Sequence, residues 1–453
     1  MNKIAGIIIA SIGLATLYVN SSFAQDDKLT KEVQVVRPYE PTISDAFKIN
    51  ELPKVDDTIS VSPSFSYNLT MRPVAINFDV NPIPPARMVA EPLMRISQGY
   101  AKLGFGNYSS PLAEIYYSNE RDEEYSYGVW LKHKSSFGNI KLDNSAKVDA
   151  NYSRTNLLAF GKRIFTKSVL LGNLSYNHFG YNLYGFDTLA AAQPIPDSPE
   201  NQAQRNFTID LNYHSTHIDS THINYSASTK FNHFSDKFGV QQNTFYLGTN
   251  ADKFFRIEKI GGSLELTHHI NNEKLSTDDN TIITFSPWVG LFGEQWRAKA
   301  GIKATFDNNE LGTNAHFYPI GHLSYDIISN YVIPYFEFAG HLEDNSYGKI
   351  LNENPWATPG LNVLNSSHKF VLKGGVKGNM SPRIAYNLSA SYSLVDSAYF
   401  FVNSLSQSND FFTSTFDVVY DNIRKKEFLG ELTFAPTSSI KIFAMAQYTA
   451  YTM

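Results

Sequence analysis

The chain has 453 residues, no cysteine, 18% charged and 14% aromatic residues, and a formal net charge of −5. That length allows two or three soluble domains or one large barrel. The missing cysteines exclude a disulfide framework, a thiolate zinc site and a lipidated N-terminal cysteine, and the acidic balance leaves no electrostatic footprint for nucleic acid.

Residues 1–24 read as an address. Lys3 supplies a positive start, Ile4 to Val19 an apolar run, and Ser22-Phe23-Ala24 a small-x-small cleavage site, which predicts cleavage between Ala24 and Gln25. After residue 24 there is no run of about 18 apolar residues, so no membrane-spanning helix is expected. Residues 25–97 hold nine of the 20 prolines, among them Pro82, Pro84 and Pro85. Proline has no backbone N–H to give to a sheet ladder. The segment therefore reads as an extended, mostly irregular periplasmic piece, with short strand pieces at Thr30–Val36 and Ala75–Val80. It is either a linker or a docking segment that binds by strand addition.

From residue 98 the pattern changes to strict alternation. Trp296, Ala298, Ala300, Ile302, Ala304 and Phe306 alternate with Arg297, Lys299, Gly301 and Lys303. The same period of two runs through Phe207–His214, Ile223–Asn232 and Ile384–Leu394, and it is the signature of strands with one apolar and one polar face. About 18 such strands make a barrel too wide to fill with side chains. The polar face then lines water and the apolar face meets lipid, so the expected fold is all-β: a transmembrane antiparallel β-barrel over residues 98–453. Aromatic pairs near strand ends, such as Tyr116 with Tyr117 and Tyr331 with Tyr335, fit interfacial girdles.

Connection lengths give an orientation. The long connections, among them 179–203, 343–368 and 395–412, alternate with short ones such as 215–220, 252–259, 379–382 and 422–426. With the N-terminus periplasmic every long connection lands outside, as in outer-membrane barrels; the short turn 436–438 is the exception. The loops 179–203 and 343–368 are long enough to fold into the barrel and block it. The ending Tyr451-Thr452-Met453 lacks the terminal Phe common in such barrels, which leaves open a barrel of about 18 strands or a chain cut before its closing strands.

Glu32–Asn50, Gly99–Leu112 with Glu114, and Tyr127–Ser136 resemble outer-membrane barrels of the TonB-dependent-receptor-like group, and the resemblance covers most of the chain. Glu32-Val33-Gln34-Val35-Val36 resembles the energy-coupling box of those receptors. The resemblance implies a receptor-type barrel of about 22 strands, in the outer membrane of a Gram-negative bacterium. It implies outer-membrane lipid around the barrel, a small-molecule solute as cargo, and a periplasmic energy-coupling or assembly protein as partner through residues 25–97. A full receptor also carries a globular plug before its barrel. The proline-rich segment here is short for one, which sets gated uptake against a passive, porin-like channel. The alternative is a non-transporting envelope assembly or interaction protein that uses the barrel as an anchor.

Chemistry-bearing groups are sparse. Lys230, Arg297, Lys299, Lys303, Lys373 and Lys377 project from polar faces and are candidates to line a lumen that favours anions; Asp210, Glu265 and Glu337 point instead to ordinary cross-strand pairing. His214, His217 and His222 surround one turn without a convincing fourth metal ligand. His268 and His269 face opposite sides of a strand. Asp278-Asp279-Asn280 and Asp307–Glu310 read as acidic loops. Gly104-Phe105-Gly106 lacks the third glycine and the helix of a nucleotide loop, and nothing singles out a nucleophile. No enzyme activity, cofactor or metal is expected.

Overall fold

The computed structural model describes residues 97–453, apart from 120–121, 144, 146, 185–200, 218–220, 310–311, 405–414 and 438. The predicted cleavage site at Ala24 and Gln25, the strand pieces at 30–36 and 75–80 and the segment Glu32–Val36 lie outside the described residues.

The alternating stretches form strands. In chain order they are β1 (Gly99–Gly106), β2 (Ser110–Ser118), β3 (Tyr125–Ser136), β4 (Asn139–Lys141), β5 (Lys147–Asp149), β6 (Tyr152–Ile164) and β7 (Ser168–Asn182). Next come β8 (Asn201–Ser215), β9 (Asn224–Asp236), β10 (Gln241–Phe255), β11 (Glu258–Asn271), β12 (Asn280–Phe292) and β13 (Trp296–Asn309). β14 (Gly312–Tyr325), β15 (Ile333–Glu343), the helix α1 (Tyr347–Glu353), β16 (Ser366–Ser381), β17 (Ile384–Asn403), β18 (Phe416–Thr437) and β19 (Ile440–Thr452) complete the series. Among the described residues 17 of these strands make one sheet, while β4 and β5 form a separate hairpin.

The sheet is an antiparallel meander in which each strand pairs with the one before it, from β1–β2 to β18–β19. A meander satisfies its backbone N–H and C=O groups between neighbours, which is what lipid demands. Its outward rows are apolar and exposed: Ile209, Leu211 and Tyr213 on β8, and Trp296, Ile302 and Phe306 on β13. The polar residues of the same strands stand on the other face. Residues 355–358 touch Tyr181 of β7 and Phe416 of β18, strands far apart along the sheet, so the sheet is curled around them. The fold is the expected transmembrane-type antiparallel barrel.

Two boundaries differ from the sequence reading. The short connection expected at 422–426 lies inside one strand, β18, so among the described residues about 18 strands becomes 17 in the sheet. The polar run Asp421–Lys426 looks like a turn, yet it continues the ladder against β17, with Lys425 opposite Ser393 and paired to Glu427 at 2.8 Å. The following turn then falls at the same end as 382–383 and 293–295, and the parity exception disappears. The connection 137–151 between β3 and β6 also carries strands that the sequence reading did not separate, the β4–β5 hairpin.

The longest connections, 137–151, 183–200, 344–365 and 404–415, share one end of the barrel, here called the loop end. Among the described residues β1 is paired to β2 and β19 to β18, and both carry mostly exposed residues on their two faces.

Candidate functional site

The wall bends inward between β14 and β15. The β14–β15 ladder runs from Ser324 opposite Tyr335 to Ile320 opposite Ala339 and stops there, whereas β13–β14 continues to Asn309 opposite Gly312. A register shift lies between Ala339 and His341 on β15, and another between His368 and Phe370 on β16. Bulges bend a strand pair and increase its twist. The loop-end part of the β15–β16 hairpin therefore parts from β14 while β16 stays paired to β17 through Ser367 opposite Asp396, and Tyr318 of β14 packs behind it, buried, with its hydroxyl 2.8 Å from Ser367 Oγ. Gly340 makes this approach possible. A Cβ there would stand 2.7 Å from the Tyr318 ring, 2.8 Å from the His368 carbonyl oxygen and 3.0 Å from that of Lys369.

Residues 344–365, carried inward by this hairpin, form a cap. Ser346 is the N-cap of α1, with its hydroxyl accepting from Lys349 N–H at 3.2 Å. A helix of seven residues is not stable alone; packing holds it. Tyr347, Ile350 and Leu351, at i, i+3 and i+4, share one face and are 0%, 0% and 1% exposed. They pack in one apolar cluster with Phe234 and Val240 of the β9–β10 hairpin, Leu275 of the β11–β12 connection, and Ala357, Leu361 and Val363 of the cap itself. Burying each large side chain contributes about 1.5–3 kcal/mol.

Polar bonds fix the cap around its rim. Tyr347 donates to Asp236 Oδ2 at 3.0 Å, and Asp236 Oδ1 accepts from Val240 N–H at 2.9 Å. Burial first, and then the Asp236 carboxylate, push the Tyr347 hydroxyl well above the ordinary tyrosine range, so it remains a donor. Tyr181 donates to the Pro355 carbonyl and accepts from Gln204 Nε2 at 3.0 Å, while Trp356 lies edge-on to Tyr181 and Tyr184. Asn345 clasps the two ends of the cap, donating through Nδ2 to the Leu364 carbonyl at 2.9 Å and to Ser366 Oγ at 3.0 Å. Lys349 Nζ meets Glu343 at 2.6 Å, His368 meets the other oxygen of Glu343 at 3.1 Å, and His269 meets Asp344 at 2.7 Å. On the far side Thr358 N–H donates to the Phe416 carbonyl at 2.9 Å, Phe416 N–H to the Trp356 carbonyl at 3.0 Å, and Thr358 Oγ1 to Asp417 Oδ1 at 2.7 Å.

The last of these bonds is a test of the rim. A bond to an ionised acceptor contributes about 1.5 kcal/mol or more, and the Thr358–Phe416 backbone pair would survive its loss. In Asp417→Ala the Thr358 amide is expected to exchange with solvent about tenfold faster in native-state hydrogen exchange. An unchanged rate would show that the backbone pair alone holds this edge.

The sequence-predicted cations divide. Lys230 on β9 stands opposite Asp210 on β8. Arg297, Lys299 and Lys303 lie on β13 and Lys373 and Lys377 on β16, on the faces opposite the apolar rows. Lys299 is opposite His322, His322 opposite Glu337 and Glu337 opposite Lys373, which brings β13 and β16 into one transverse row. Lys303 is opposite Tyr318, under the cap. Lys259 belongs to the same row, opposite Gly290, and sequence reading missed it because 252–259 resembled a turn. The cap helix also went unread; its one signal is Ser346 followed by Tyr347, Ile350 and Leu351.

The histidine and acidic candidates have local structural partners. His217 and His222 stack at 4.5 Å, and His214 bonds to Asn212 at 3.2 Å. Asp279 Oδ1 accepts from Asn271 N–H at 2.8 Å, and Asp307 Oδ2 accepts from Asn365 Nδ2 of the cap at 3.2 Å. Among the described residues no group of three or more His, Asp or Glu side chains is placed to hold a metal ion.

A wide meander barrel with a loop folded into its mouth defines the class: the fold is that of an outer-membrane receptor-type barrel. Solved structures carry the likeness. The siderophore receptor PirA from Acinetobacter baumannii aligns with a TM-score of 0.53 and 10% identity over 78% of this chain and 61% of that one. The ferric-catecholate import receptor Fiu from E. coli K12, in a closed form, gives 0.52 and 8% over 78% and 64%. The outer membrane transporter YddB from Escherichia coli gives 0.52 and 10% over 76% and 55%. This chain thus spans roughly six tenths of the length of these proteins. No family model matches the chain, and no curated protein matches it in sequence.

Proposed function

We propose that this chain is a solute-uptake barrel of a Gram-negative outer membrane, held shut at its loop end by the cap 344–365. Residues 1–24 are its signal peptide, cleaved between Ala24 and Gln25, and residues 25–97 are a periplasmic segment that docks an energy-coupling or assembly protein by strand addition. The apolar rows face outer-membrane lipid and the loop end faces outside. The cap carries this reading. A barrel of this many strands is too wide for side chains to fill, its inner rows are polar, and the loop that occupies its mouth enters through a built bend at Gly340 rather than lying over the rim. Its fold likeness to receptor barrels supports the same reading.

Single-channel recording in planar bilayers tests it, with the full chain compared to a version in which a short Gly-Ser bridge replaces residues 347–363. The intact protein is expected to be silent and the shortened one to conduct steadily. Steady conductance in the intact protein would sink the closed reading and leave an open porin-like pore. The many-sided anchoring of the cap also suits a barrel that serves as an anchor for envelope assembly. Silence in both proteins, each shown folded by heat-modifiable gel mobility, would leave that second reading in front.

A further inference from the structure

We infer that the inner wall over β11–β16 is a binding site for an anionic solute carrying several carboxylate or phosphate groups. The inference rests on the barrel conducting solute, and it names the class of that solute. Residues directly opposite across a ladder project to the same face. Lys259, Lys299, His322, Glu337 and Lys373 form one such row across the wall, through Gly290 of β12. Exposed Phe285, Ile302, Leu323 and Phe336 occupy the opposite face of the same strands, so the row looks inward. Arg297 and Lys377 flank it, two and four residues nearer the turn end on β13 and β16.

Two aromatic rings floor this strip. Trp288 lies flat on the wall: a Cβ on Gly261 would come 2.5 Å from its ring. Above it stand Lys299 Nζ, 4.1 Å from the ring centroid, and Lys259 Nζ at 5.8 Å. Tyr335 lies over Gly375 in the same way, where a Cβ would come 2.7 Å from the ring, with Lys373 Nζ at 5.9 Å and Lys377 Nζ at 5.4 Å. The ring faces hold the ammonium groups in place without neutralising them.

The charges do not balance. Asp252 pairs with Lys259 at 2.8 Å and Glu337 with His322 at 3.5 Å. Around the row five cations, Lys259, Arg297, Lys299, Lys373 and Lys377, thus meet two carboxylates, Asp252 and Glu337, while Glu265 and Lys303 lie nearer the loop end on β11 and β13. Further round, Glu427 on β18 continues the row beyond Lys373 and Ser391 but is paired to Lys425 at 2.8 Å, and Glu431, in line with Lys377 through Asn387, accepts from Asn387 Nδ2 at 2.8 Å. Like charges gathered on one wall repel, and low-dielectric barrel walls focus that field into the lumen. A multivalent anion lying across the row removes the repulsion and displaces the lysines from the two rings.

Two measurements on the full chain separate the failures. Citrate and tripolyphosphate, titrated into the refolded protein, are expected to change tryptophan emission saturably, and spermidine is not. The change disappears in Trp288→Phe, and its midpoint rises about tenfold or more in Lys259→Gln/Lys299→Gln/Lys373→Gln. Equal responses to citrate and spermidine, or an unmoved midpoint, would overturn the anion site. In the barrel with residues 347–363 replaced, the reversal potential in a KCl gradient is expected to favour chloride and to move toward potassium in the triple variant. A conducting barrel without anion preference rejects the site and keeps the pore. A silent but folded one rejects the pore, and the citrate midpoint then decides the site alone.

Discussion

Gly340→Val is expected to open the barrel while leaving its wall intact. The added Cβ meets two backbone carbonyl oxygens, of His368 and Lys369, at 2.8 and 3.0 Å, and the Tyr318 ring at 2.7 Å. Rotamer changes move none of the backbone atoms. Tyr318 is itself buried and bonded to Ser367, so its ring has nowhere to retreat. Overpacking of this kind costs about 3 kcal/mol at the upper end of its usual range, and it falls on the inward bend of the hairpin rather than on the ladders of the wall. Such a shift changes the ratio of open to closed cap by about a hundredfold. In bilayers the variant should show long conducting episodes where the parent is silent, with unchanged heat-modifiable mobility. A silent Gly340→Val barrel with its cap still protected from hydrogen exchange would mean that the bend adjusts without expelling the loop.

The wall was legible because lipid and water impose a period of two on every spanning strand. Trp296–Phe306 shows that rule undisturbed, and the structure puts its two sets of residues on opposite faces. The rule weakens where strands rise beyond the bilayer. The 22 residues of β18 far exceed the ~9–11 that span it. Its Asp421–Lys426 run sits where both faces can be polar, and so it mimicked a turn. The same loss of contrast near the turn end hid Lys259 inside an apparent loop. The inward path of 344–365 was legible only as a length. What directs it is a pair of bulges and a close approach at Gly340, and a single glycine in a strand pattern does not say which neighbour it admits. The six candidate cations were chosen by face alone. Register, which decides that Lys299 and Lys373 share a row while Lys230 meets Asp210, depends on ladder pairing that one strand's sequence does not contain.

Tyr347→Ala should unlock the cap from its centre, where Gly340→Val acts at its base. The Tyr347 side chain is fully buried, its ring meets Phe234 edge-on at 5.7 Å between centroids, and its hydroxyl donates to Asp236. Removing a buried aromatic ring costs about 3–5 kcal/mol through lost transfer energy and the cavity left behind. A seven-residue helix has no stability of its own to offset that loss. Residues 344–365 are therefore expected to be cleaved by added protease about a hundredfold faster or more, with the barrel's own thermal transition unmoved. Tyr347→Phe separates packing from polarity. It keeps the ring but leaves Asp236 Oδ2 without this donor, a loss of about 1–3 kcal/mol. Because burial and the Asp236 carboxylate raise the hydroxyl's ionisation above the ordinary tyrosine range, the parent donor stays protonated through the neutral pH range and the contrast between the variants does not depend on its titration. The ordering parent, Phe, Ala in cap protection is the expected result. If Ala instead lowers the barrel's thermal transition together with cap protection, cap and wall unfold as one unit, and the loop is a structural strut rather than a separable closure.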